Sequence, residues 1–140
     1  MGRRTPTFYV LHGSDEFSLR QQVRSLRAAM GDPATAEMNT SVLDGKSTSA
    51  AQVLSAARAM PFLSDKRLVI VEGMLSWLAR KGAGKTGKAE LEELAAGLED
   101  LPPHARIVFV ETDTLSDKHP IVVAAKTLPG GFHKLFGPPP

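Results

Sequence analysis

The sequence contains no cysteine. Disulfides and thiolate metal sites are therefore excluded, and a reducing compartment is permitted. No apolar run approaches the roughly 18 residues of a membrane-spanning helix. Charge of one sign is also lacking. Residues 1–70 hold nine Lys/Arg against six Asp/Glu, and residues 71–140 hold eight against nine. The formal net charge is only +2, so neither half is a basic patch of the kind that DNA binding usually needs. Met1-Gly2-Arg3-Arg4 is followed by Thr-Pro-Thr and not by an apolar core, so no signal peptide is expected, and the expectation is a soluble cytoplasmic protein without a membrane role. No repeat with a period of about 20–50 residues is visible. No serine sits in a Gly-x-Ser-x-Gly pattern. The four histidines, His12, His104, His119 and His133, lie far apart without metal-ligand spacing and read as surface or loop residues.

What remains is ordinary globular composition. The 140 residues are 42% hydrophobic and 23% charged, enough for one domain with a real core. Thr7–Leu11 is β-rich and apolar and reads as a first strand. Ser14 or Asp15 is a natural N-cap for a helix reaching Met30, with Leu19, Val23, Leu26 and Met30 on one stripe and Arg20, Arg24 and Arg27 on the wet one. Gly31 ends it, and residues 34–38 read as a connection. Asn39–Leu43 is a short second strand closed by Asp44-Gly45. Ser49 with Gln52 forms a capping box for a helix to Arg58, with Val53 and Leu54 inward.

Arg67–Glu72 encloses the apolar run Leu68–Val71, the pattern of a strand buried on both faces. Met74–Ala79 reads as a short helical turn, and Lys81–Lys88 as a mobile Gly/Lys-rich loop. Glu90–Asp100 is a helix stopped by Pro102-Pro103, with Leu91, Leu94, Ala95, Leu98 and Leu101 on one face. Glu90, Glu92 and Glu93, with Arg80, Lys81, Lys85 and Lys88, read as solvated charge. Ala105–Val110 is a fourth buried strand, Ile121–Leu128 a helix entered at Pro120, and Phe132–Leu135 an edge strand. Strands alternating with helices predict an α/β fold: a three-layer, doubly wound, mainly parallel five-stranded sheet.

Two segments bear on function. Gly82-Ala83-Gly84-Lys85-Thr86 ends like a phosphate-binding P-loop. Against a small P-loop NTPase using Gly84-Lys85-Thr86, the first glycine of the motif falls on Ala79, and Ser76–Arg80 does not read as a strand. The turn after the first strand, Leu11-His12-Gly13-Ser14-Asp15-Glu16-Phe17, has one glycine, no lysine and two carboxylates, which repel a triphosphate. Glu72, after its apolar strand, resembles a magnesium-binding Walker B acid only loosely and reads as solvated. The second segment is Met60-Pro61-Phe62-Leu63. These are apolar residues in a connection where Pro61 forbids a helix interior. The pair Phe62-Leu63 either folds back as a lid on the core or is presented to a partner, and the residues alone leave both open.

Three stretches together, Phe8–Phe17, Asn39–Gly45 and Ala57–Val71, with Pro102-Pro103 before Ile107–Val110, resemble the N-terminal domain of the DNA polymerase III delta-subunit family of bacteria. The resemblance covers nearly the whole chain. It implies an AAA+-like domain without a functional nucleotide site, no cofactor, and a clamp-loader role in DNA replication. The family's apolar wedge for the sliding clamp falls on Phe62 and Leu63, flanked by Met60 and Pro61. The implied partners are the sliding clamp and other clamp-loader subunits, with DNA met only through the assembled complex and ATP handled by other subunits. The domain would not be an enzyme by itself. The chain departs from the pattern in its longer, Gly-rich 81–88 segment. The family's helical second domain and C-terminal collar domain are not among these residues, so residues 1–140 are expected to be the N-terminal domain alone.

Overall fold

The computed structural model describes residues 5–80 and 84–138. Among the described residues, five strands form one sheet: β1 (Phe8–Gly13), β2 (Thr40–Asp44), β3 (Arg67–Glu72), β4 (Ala105–Glu111) and β5 (Gly131–Phe136). Their order is β2-β3-β4-β1-β5, and every pairing is parallel. The helices of the described residues that connect them are α1 (Glu16–Ala28), α2 (Pro33–Met38), α3 (Ala50–Arg58), α4 (Met74–Ala79), α5 (Gly84–Leu98) and α6 (Pro120–Thr127).

The middle of each central strand is apolar because each face meets a different helical layer. Val69 and Val71 of β3 with Ile107 and Phe109 of β4 point into one core, closed by Leu54, Leu75, Leu94 and Ile121 from α3, α4, α5 and α6. Leu68 and Ile70 with Val108 and Val110 point the other way, onto Leu19 and Val23 of α1. Alternation along a strand sends successive side chains to opposite layers. The result is the expected three-layer sandwich. The capping box at Ser49 and Gln52 forms as expected, and the boundaries of β3 and α4 fall where the sequence puts them.

Three local expectations are corrected. Residues 34–38 belong to helix α2, because Asp32 caps the Thr35 amide and Pro33 occupies the first turn. Asp-Pro suits a helix start as well as the end of the preceding one, since proline lacks the N–H that a first turn leaves unused. Asn39 then lies outside β2 and closes α2, its N–H bonded to the Ala36 carbonyl. The expected loop at 81–88 is helical from Gly84, the start of α5, while residues 81–83 lie outside the described residues.

Candidate functional site

The connection between α3 and β3 presents its apolar side chains to solvent. Met60 is 80% exposed, Phe62 56% and Leu63 78%. The core-lid alternative therefore does not hold in this structure. Pro61 is partly buried between them.

The loop is nevertheless tied to the scaffold. Asn39, 2% exposed, turns its carboxamide onto the loop main chain. It accepts from the Phe62 N–H at 2.7 Å and donates to the Phe62 carbonyl at 2.7 Å. A further N–H of the same amide reaches the Thr35 carbonyl at 2.9 Å. The Asn39 carbonyl accepts from the Leu68 N–H at 2.9 Å, at the start of β3. One buried residue thus closes α2, joins the β2–β3 ladder and grips Phe62 from 23 positions away. Leu63 holds a left-handed φ of 54°, a conformation that costs a non-glycine residue about 1–3 kcal/mol and survives only where neighbours enforce it. On the return limb, Ser64 Oγ accepts from the Lys66 N–H and Lys66 Nζ donates to the Ala29 carbonyl at the end of α1. Met38, the residue before Asn39, is also exposed.

The opposite end of the sheet is where α/β domains place ligands, beyond the carboxyl ends of the strands. Here the turn after β1 is filled by the protein itself. Gly13 has φ 137°, and a Cβ there would lie 1.9 Å from the Phe136 carbonyl oxygen. The end of β5 therefore sits where a phosphate-binding loop needs room. Asp15 accepts from the Ser18 N–H at 3.2 Å and from the Ser18 hydroxyl at 2.7 Å. A carboxylate of the chain thus occupies one first-turn amide of α1, that of Ser18, and places a negative charge where an anion would otherwise bind.

A cleft of about 400 Å³ lies nearby, lined by residues including Arg20, Lys46, Glu72, Glu111 and Asp113. Two of its charges, Arg20 and Glu72, are paired with each other. Arg20 bonds Glu72 at 3.1 Å and Glu16 at 3.5 Å, so Arg20 is not simply on a wet stripe and Glu72 is not simply solvated. Glu111 is 1% exposed and accepts from the Leu75 N–H, the Ser76 N–H and the Ser76 hydroxyl. Helix α4 has no side-chain cap of its own, and this carboxylate serves in its place. Burial raises the Glu111 pKa, and the three donors oppose that rise. Among the described residues, no group of three or more His, Asp and Glu side chains is arranged to hold a metal. Gly84-Lys85-Thr86 opens α5, and the described element before it is α4, not a strand. Glu90 is no longer simply solvated charge, because it accepts from the Ala50 N–H at the start of α3.

The histidine reading needs correction. His12 and His119 are buried. In the parallel pairing of β1 with β5, His12 is opposite Leu135, and the His12 side chain reaches His133 of β5, their Nε2 atoms 2.8 Å apart. His12 Nδ1 accepts from the Leu115 N–H at 2.8 Å. His119 Nδ1 accepts from the Ile121 N–H at the start of α6, and its Nε2 lies 3.0 Å from the Leu75 carbonyl. Contacts across 103–121 positions have no signal in spacing. Asn39 did leave one: asparagine is a poor strand former, and placing it at the head of a strand asks for a local reason.

The sequence matches the family described as DNA polymerase III, delta subunit, over residues 9–129. The DNA polymerase III subunit delta of Bacillus subtilis is 33% identical over 104 residues, covering 73% of this chain. The chain spans 28% of that relative's length. A solved Bacillus subtilis DNA clamp loader delta protein is similar in structure, with a TM-score of 0.78 at 21% identity, covering 95% of this chain and 39% of that one. This likeness establishes the fold, an α/β domain built on a parallel sheet.

Proposed function

This chain belongs to the DNA polymerase III delta-subunit family, and on that premise we propose that it is the clamp-binding domain of a clamp-loader subunit in DNA replication. Met60, Pro61, Phe62 and Leu63 form the contact. Phe62 and Leu63 enter an apolar pocket on the sliding clamp and displace one subunit interface, so that the ring opens. The domain acts in the cytoplasm with other clamp-loader subunits and meets DNA through the assembled complex. It hydrolyses no ATP and catalyses no reaction by itself; ATP is handled by other subunits.

The observation that carries this reading is the exposed apolar pair on a pinned loop. Hydrophobic side chains held out in water by a buried polar clamp suit a surface kept ready for a partner. Burying a Phe and a Leu side chain is worth roughly 3–6 kcal/mol. That corresponds to about two to four decades of affinity before ordering costs, in keeping with a contact that forms and releases. The absence of ATP turnover is supported by the Asp15 cap and the close approach of Phe136 at the β1 turn.

The test uses a clamp from the same source, carrying a pair of fluorophores across one subunit interface. Adding the chain should separate the pair, and Phe62→Ala with Leu63→Ala should abolish the change. An equal signal from both proteins would refute the wedge.

A further inference from the structure

We propose that Asn39 is a positioning residue for the apolar loop: by holding the main chain of Phe62, it keeps Phe62 and Leu63 in the geometry that the partner accepts. This inference rests on the reading of Met60–Leu63 as the clamp contact.

The carboxamide meets both polar groups of one peptide residue, the Phe62 N–H and the Phe62 carbonyl, each at 2.7 Å. Two bonds to the same residue fix its position and its orientation, much as a neighbouring strand would. The Asn39 side chain is itself fixed, because its main chain is bound into the α2–β2 junction and its amide also reaches Thr35. The next residue after the gripped one, Leu63, is in the left-handed region. A leucine released from restraint would leave that region. The apolar pair itself has little packing to hold it, since both side chains are mostly exposed. The polar grip is therefore the restraint available to Phe62 within the loop.

Without the grip, the loop spreads over several conformations, and only a fraction presents the pair correctly. Apparent affinity falls by that fraction. Asn39 would not touch the clamp; it acts through Phe62.

The experiment compares the chain with its Asn39→Ala variant, well below the melting temperature of either. Clamp affinity and amide hydrogen exchange are measured on both. The expected result is clamp binding weaker by about tenfold, equivalent to about 1.4 kcal/mol. Exchange at the Phe62 N–H, which donates to Asn39, should accelerate while Val69 and Val71 in β3 keep their protection. A variant that binds within about twofold of the parent overturns the proposal. So does an affinity loss accompanied by equally faster exchange at Val69 and Val71, which would mean global destabilisation and no positioning role.

Should Asn39→Ala fail to fold, Asn39→Asp keeps the acceptor for the Phe62 N–H and loses both donors. It is expected to weaken binding more than about twofold with β3 protection intact, and parental affinity would overturn the proposal. The Phe62→Ala, Leu63→Ala protein runs alongside as a control. Undiminished clamp binding by that control removes the clamp reading and this inference with it. Binding that needs the apolar pair but ignores Asn39 removes this inference alone.

Discussion

Replacing His12 with asparagine should remove the His12 share of the chain's loss of stability between pH 6.5 and about pH 4. His12 Nδ1 accepts from the Leu115 N–H, so the neutral ring carries its hydrogen on Nε2 and donates it to His133 Nε2. A proton added to His12 would set N–H against N–H at Leu115. One added to His133 Nε2 would do the same against His12. Burial foremost, then the charges of His133 and Lys126, lowers the His12 pKa from 6.5 to about 4, with Asp117 partly opposing. The folded value lies below the unfolded one. Below pH 6.5 the unfolded chain therefore takes up a proton that the native chain refuses. Stability is full above pH 6.5 and declines as the pH falls towards about 4. At about 1.4 kcal/mol per pH unit, the loss is about 3 kcal/mol, a large part of the roughly 5–15 kcal/mol that holds a domain together.

In His12→Asn, the amide oxygen can still accept from Leu115 and does not titrate. The variant loses ring packing and starts from lower stability at neutral pH. The informative quantity is the slope. Glu111, whose folded pKa is raised, contributes in the opposite sense, favouring the fold as the pH falls through its folded pKa towards the unfolded value, and it does so in both proteins. Urea unfolding at pH 7.5, 6.5, 5.5 and 4.5 should show the gap between the two narrowing by about 2–3 kcal/mol on acidification. Parallel curves would refute the argument, because they would mean that His12 takes up its proton as readily folded as unfolded.

Other substitutions probe the same end of the sheet. Gly13→Ala places a Cβ 1.9 Å from the Phe136 carbonyl oxygen; it should cost more than about 3 kcal/mol or prevent folding, as read by far-ultraviolet circular dichroism and the urea midpoint. Glu111→Ala strips the acceptor from the Leu75 and Ser76 N–H groups and should cost about 2–4 kcal/mol, with a loss under 1 kcal/mol counting against its capping role. Titration with ATP and magnesium should show no saturable heat, whereas micromolar binding abolished by Lys85→Ala would restore the nucleotide reading.

How far the sequence reached depends on the range of the forces involved. Leu68–Val71 and Ile107–Val110 announced central strands because burial on both faces leaves no polar position in the run. Ser49 and Gln52 announced a helix start because a capping box closes within one turn. The exposed pair was visible as an anomaly, since Phe62 and Leu63 lie beside Pro61 where no regular element could bury them. The main chain of Phe62 is held by Asn39, and a side chain 23 residues away in sequence has no periodicity to betray it. The same holds for His12 with His133, and for Glu111 capping α4 from 35–36 residues away. The polar contacts that arrange the surface are long-range, whereas the apolar pattern that builds the core is local.

The central claim is that Phe62 and Leu63 serve a partner and not the core. Its most direct test is clamp binding by the chain and by its Phe62→Ala, Leu63→Ala variant, with melting temperatures taken on the same samples. The account predicts clamp binding lost and melting nearly unchanged, because both side chains are already mostly in water. Undiminished binding, or a collapse in melting temperature, would contradict it.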